Sequence, residues 1–163
     1  MRHIISILLQ NESGALSRVA TMFASRGFNI ETLNVAPTDD ASVSRLTLVT
    51  IGTEEVVSQI SKQLAKLIDV VAIADRTATD AIERELGLLK FAADPVEAAA
   101  LSQRILGEGG RILDESPQHL TAEIAGTGKE LDTFLASLPE DARLLSVVRS
   151  GPLVISRGPT ALG

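Results

Sequence analysis

Cysteine, tryptophan and tyrosine are all missing from this 163-residue chain, and four Phe are its whole aromatic content. Without thiols there is no disulfide, no thiolate metal site and no cysteine nucleophile. Without aromatics on a sheet, an RNA-recognition surface has nothing on which bases could stack. Lys and Arg number 15 against 21 Asp and Glu, for a net charge of −6. The cations are scattered, so no basic stripe follows a phosphate backbone. No apolar run reaches the roughly 18 residues of a membrane span. The amino terminus alternates like a strand and lacks the small-residue cleavage site of a secretory signal. These absences predict a soluble, cytoplasmic chain with neither a nucleic-acid nor a membrane partner.

What is present is an aliphatic core, since 45% of residues are apolar. Ile4 to Leu9 reads as a buried strand. From Gly14 to Arg26, Leu16, Val19, Ala20 and Phe23 recur at helical spacing, and Gly27 stops the helix. Phe28 to Ala36 and Val43 to Ile51 read as strands around the turn Pro37-Thr38-Asp39-Asp40. Gly52-Thr53-Glu54-Glu55 opens a second helix, and Val70 to Ala74 is a fourth strand. The order β-α-β-β-α-β then repeats. Glu85 to Phe91, Arg111 to Asp114, Leu120 to Ala125 and Leu144 to Val148 are its strands. Asp94-Pro95 and the capping box Thr127-Gly128-Lys129-Glu130 open its helices. The second copy is eight residues shorter, most simply in its central hairpin.

The fold class is therefore α+β, with two ferredoxin-like βαββαβ domains in tandem. Each is expected to form a four-stranded antiparallel sheet with two helices on one face. The expected boundaries are 1–76, a polar linker at 77–82, 83–150, and a tail at 151–163. The tail holds one apolar run, Leu153-Val154-Ile155, and is either disordered or docked on a partner. An uncovered sheet face and open edge strands ask for a partner, which predicts at least a homodimer.

The stretch Leu9 to Leu16 carries the most specific chemistry. A strand runs into a polar turn and a helix begins at once. Backbone N–H groups and the positive end of a helix dipole then converge on one spot suited to a small carboxylate. Gly14 lets the backbone come close, Ser13 is placed to cap the helix, and the N–H groups from Gly14 through Ala15 to Leu16 face the spot. The Asn11 amide offers both a donor and an acceptor. An ordinary capped turn is the competing reading. In the second copy the junction is Ala92-Ala93-Asp94-Pro95-Val96-Glu97, where carboxylates satisfy the helix start and proline removes a donor. Only the first copy is then expected to take an acidic ligand. Asn29 and Ile30 are a second candidate, able to reach a ligand across a dimer seam, or else a turn residue and a core residue.

Other candidates reduce to structure. Asp39-Asp40 with Thr38 reads as a turn. His3 and His119 read as surface or rim residues with no metal-ligand spacing, so no metal site is expected. The serines have no placed His and Asp, and no catalytic residue is assigned. An enzyme of this fold would need a clustered His, Cys or Arg set, which the chain lacks.

Three segments together resemble the small regulatory subunits of acetolactate synthase (acetohydroxyacid synthase). They are Asn11-Glu12-Ser13-Gly14-Ala15-Leu16-Ser17-Arg18-Val19, Arg26-Gly27-Phe28-Asn29-Ile30-Glu31 and Ala36-Pro37-Thr38-Asp39-Asp40. Ser44-Arg45-Leu46-Thr47, Asp69-Val70, Arg149-Ser150-Gly151 and Ser156-Arg157-Gly158 are similar too. The resemblance implies an N-terminal ACT domain that pairs with a second copy and binds valine, or a related aliphatic amino acid, at the seam. It implies feedback inhibition and activation of a large catalytic subunit in branched-chain amino-acid synthesis. That partner would hold thiamine diphosphate, magnesium and FAD, and this chain no cofactor. The effector loop maps to Asn11, Gly14, Ala15 and Leu16, with Asn29 and Ile30 across the seam. An ACT sensor serving another enzyme or a transcriptional circuit is the alternative.

Overall fold

A computed structural model describes residues 1–77, 80–139 and 141–159. The chain divides into two compact units. The first holds β1 (Arg2–Gln10), α1 (Ala15–Ala24), β2 (Thr32–Pro37), β3 (Val43–Ile51), α2 (Glu54–Leu64) and β4 (Val70–Asp75). The second holds most of β5 (Ala81–Ala92), then α3 (Pro95–Gly107), β6 (Arg111–Ser116), β7 (His119–Gly126), α4 (Gly128–Ala136) and β8 (Arg143–Arg149). Last comes β9 (Leu153–Ser156), formed by the apolar run of the tail and grouped with the first unit. Within the predicted linker, Ala81 and Ile82 already belong to β5, while 78 and 79 lie outside the described residues, as do 160–163 of the tail.

Each unit has the sheet order of a split βαβ repeat. The first runs β2-β3-β1-β4 and the second β6-β7-β5-β8, all antiparallel, with β9 pairing β5 as a fifth strand. In the first unit Ile5, Ile7 and Leu9 of β1 and Leu46 and Leu48 of β3 face the helices. They meet Ala15, Val19, Met22 and Phe23 of α1 and Val57, Ile60 and Leu64 of α2. The buried stripe of α1 is thus rotated from the expected one: Leu16 is 40% exposed and Ala20 is exposed, while Ala15 and Met22 are inside. Truncating fully buried Phe23 to Ala is the kind of core change that costs about 3–5 kcal/mol.

One further expectation needs correction. The far face of the first sheet is not open along its central strands. Ile4, Ser6 and Leu8 of β1 and Thr47 and Val49 of β3 are all buried, and Val154 of β9 packs against Ile4 and Val49. The free edges of β2 and β4, rather than a bare face, are what the first unit leaves unsatisfied. The second copy does lose residues mostly from its central hairpin, which spans 32–51 in the first copy and 111–126 in the second; the shorter α3–β6 connection is nearly offset by an α3 three residues longer than α1. The α1–β2 connection has seven residues, 25–31, where α3–β6 has three, 108–110; the hairpin loops are 38–42 and 117–118.

Candidate functional site

The end of β1 and the start of α1 are joined by a turn held at several points. The Asn11 N–H donates to the Ser42 carbonyl at 2.7 Å, and its side-chain Nδ2 donates to the Ala41 carbonyl at 3.0 Å. One of the two Nδ2 protons is therefore held by the β2–β3 loop, which leaves the other proton and Oδ1 for a ligand. Gly14 is the helix N-cap and sits at φ +85°, a left-handed conformation that glycine adopts without strain. The Ala15 N–H donates to the Glu12 carbonyl at 3.2 Å. Ser13 does not cap α1, contrary to expectation, because a left-handed glycine holds the N-cap position and no side chain bonds to it. The N–H groups of Leu16 and Ser17 have no acceptor among the described residues, as the second and third donors of an uncapped helix.

Beside this turn lies a cation that sequence reasoning did not single out. Arg18 forks onto Asp69: Nε donates to Oδ2 at 2.5 Å and Nη2 to Oδ1 at 2.7 Å. Asp69, at 2% exposure, sits just before β4, and its own carbonyl accepts the Gln10 N–H at 2.8 Å. Hydrogen bonds from Arg18 hold the Asp69 carboxyl below its ordinary range against the opposing effect of burial, and charge attraction adds to them. A β-carbon built on Gly14 would lie 3.0 Å from Arg18 Nη1. Fifty-one residues separate Arg18 from Asp69, so no local pattern announces the pair. The only sequence signal is a cation one helical turn after the N-cap, where an acidic residue is favoured.

Asn29 and Ile30 lie in the α1–β2 connection, because β2 begins at Thr32 rather than at Phe28. Phe28 turns back instead: its N–H donates to the Phe23 carbonyl at 3.0 Å, and its ring meets Phe23 edge-on at 6.2 Å. The exposed Asn29 donates through Nδ2 to Glu31 Oε1, and its carbonyl accepts from Thr50 Oγ1. Half-buried Ile30 packs on the first core.

Strand register puts these residues far from the turn within one chain. Thr32 and Ile4 both pair with Val49, whereas Pro37 and Leu9 both pair with Ser44. Asn29 and Ile30 therefore lie beyond the Ile4 end of the sheet and Asn11 beyond the Leu9 end. Strand rise from Ile4 to Asn11 alone is on the order of 20 Å.

The matching junction of the second unit is closed. Asp94 Oδ1 accepts the N–H groups of Val96 at 2.8 Å and Glu97 at 2.9 Å, Glu97 Oε2 accepts the Asp94 N–H, and Pro95 has none to give. The remaining candidates are structural. Asp40 Oδ1 accepts from both N–H and Oγ of Ser42, which closes the β2–β3 turn. His3 is buried rather than on the surface, with Nε2 3.3 Å from the Gly52 carbonyl and Nδ1 3.3 Å from Thr77 Oγ1. Among the described residues no three His, Cys, Asp or Glu come together as metal ligands, and no helix is long and apolar enough to cross a membrane.

Comparison with known proteins agrees in both halves. Residues 5–72 match the model of the AHAS small subunit-like ACT domain, and 84–158 match that of the small subunit of acetolactate synthase. The acetolactate synthase isozyme 3 small subunits of Escherichia coli and Salmonella typhimurium are each 46% identical over 158 residues, 97% of both chains. The crystal structure of the acetolactate synthase small subunit from Thermotoga maritima superposes with a TM-score of 0.87 at 29% identity. That match covers 98% of this chain and 99% of the other.

Proposed function

This chain belongs to the family of acetolactate synthase small subunits, and from that membership we propose how it regulates. Two copies pair through their ACT units, and valine, or a close aliphatic relative, sits at the seam between them. The ligand carboxylate meets the uncapped start of α1, with Gly14, Ala15 and Leu16 as its floor. Asn11 Oδ1 and Ser13 lie beside it, and the exposed Leu16 side chain adds apolar surface. Asn29 and Ile30 come from the other copy. Bound effector biases the dimer between two arrangements that the catalytic subunit reads, and the ligand must contact them unequally to shift anything. The reading gives this chain no catalysis of its own. Thiamine diphosphate, magnesium and FAD fall to the catalytic partner.

One observation carries the reading: a helix start left uncapped beside a left-handed glycine in an ACT unit. Strand order supports the seam. β2 is an edge strand, and pairing it antiparallel with β2 of a second copy brings that copy's Asn29 and Ile30 to the Leu9 end of this sheet. Titration calorimetry of the isolated dimer with L-valine tests it. A saturable heat near one site per ACT unit is expected, and no heat with any branched aliphatic amino acid overturns it.

A further inference from the structure

We propose that Arg18 is the charged donor for the effector's carboxylate, and that Asp69 is its positioning residue. This rests on the reading of the site given above. A guanidinium presents five donors in a planar fork. Asp69 takes Nε and Nη2 of Arg18, which fixes the plane and leaves the Nη1 edge without a hydrogen-bond partner among the described residues. That edge is the one beside Gly14. Gly14 is in turn the N-cap of the helix whose Leu16 and Ser17 N–H groups lack an acceptor among the described residues, and the proposed function puts the ligand carboxylate at that helix start.

Directed donors rather than net charge draw an anion there, since Asp69 and Glu12 together outweigh the one cation. The first turn of α1 contains no acidic residue, and Glu12 acts on Arg18 only through space. Burial of Asp69 makes its fork rigid, so a ligand meets a donor already oriented and loses little side-chain freedom in using it. A purely structural ion pair would be served by any cation position that reached Asp69. It would not need its third nitrogen within 3.0 Å of where a side chain at position 14 would begin.

The test is calorimetry of the full-length dimer with L-valine and with L-valinamide, which keeps the side chain and ammonium but has no carboxylate. Removing Arg18 alone would strand a buried carboxylate, so the variant is the double one, Arg18→Gln with Asp69→Asn. Its melting temperature reports folding. Expected is a loss of valine affinity of about tenfold or more, the scale of a hydrogen bond to a charged group. Valinamide binding should stay unchanged, so the preference for valine disappears. Asp69→Asn alone keeps the guanidinium but loosens it, and should weaken valine by a smaller factor. A folded double variant that keeps its preference for valine overturns the role of Arg18. It leaves the site reading intact if Gly14→Asp still abolishes valine binding. If wild-type protein binds no valine at all, the site reading itself falls. An Asp69→Asn protein indistinguishable from wild type overturns the positioning role.

Discussion

Two β–α junctions occupy equivalent places in two copies of one topology, and they treat their helix ends in opposite ways. At α3 every early donor is used: Asp94 takes two N–H groups, Glu97 returns a bond to the N-cap, and Pro95 has no donor to satisfy. At α1 no side chain caps anything, glycine stands at the N-cap, and an arginine leans on it. An Asp N-cap is worth about a few tenths of a kcal/mol more than glycine, so the first unit forgoes a little stability that the second one takes. A helix start becomes available to a ligand only when the chain declines to satisfy it internally. The connections differ in the same sense, since the longer α1–β2 segment carries Asn29 and Ile30 and the three-residue α3–β6 segment has no counterpart for them.

The sharpest way to break the contrast is Gly14→Asp, which carries a carboxylate into the open junction. Position 14 is left-handed, so any side chain adds backbone strain of about 1–2 kcal/mol. The new β-carbon would lie 3.0 Å from Arg18 Nη1, and the carboxylate it carries would compete for the place of the ligand's own. Repulsion and occupation together should weaken valine by about a hundredfold or more. Activation of the catalytic subunit should persist. Valine inhibition curves on the reconstituted enzyme check this, and a fully sensitive variant would remove the turn from the site.

Acid should act next, on the ion pair of the open junction. The Asp69 carboxyl is held below its ordinary value of 3.8 by the bonds from Arg18. Its pairing is therefore fully present above that value and is lost as pH falls through the lower folded value. Valine affinity should be flat from about pH 8 to pH 5 and should drop below about pH 4. Asp69→Asn should remove the drop. A wild-type loss already complete by pH 6 would point to a different group.

Closing the comparison from the other side, Asp94→Ala should cost about 1 kcal/mol, up to 2 because two N–H groups lose their acceptor. Chemical denaturation reads it. Valine affinity should not move, since the second junction takes no effector. A change in affinity would couple the two units in a way the contrast does not contain.

Local chemistry was legible in the sequence and remote chemistry was not. The capping boxes at Asp94 and Thr127 appear as read, because each spans four residues and answers to its own backbone. The repeat and the sheet order followed from the periodicity of apolar residues. Phe28 and Ile30 alternate as a strand would, yet both pack on the core from a turn, so β2 begins four residues later than the alternation predicts. Periodicity leaves the phase of α1 open, because Leu16 and Ala20 fit a helical stripe as well as Ala15 and Met22 do. Val154 covers Ile4 and Val49 from the far end of the chain, and Asp69 reaches Arg18 across fifty-one residues. Neither contact leaves a mark on its own neighbourhood.

Ser13→Ala is the smallest expected effect and separates two roles of one hydroxyl. A serine before a helix is ordinarily its cap, and losing such a cap costs about 1 kcal/mol. Here Gly14 holds the N-cap position and no side chain bonds the helix start. Stability should therefore stay within a few tenths of a kcal/mol of wild type, as for an exposed residue without a structural bond. A full kilocalorie lost on denaturation would mean that the serine caps α1 in solution and that the two junctions are alike after all. If melting is unchanged while valine affinity drops, the hydroxyl serves the ligand and not the helix, which is what an open junction requires.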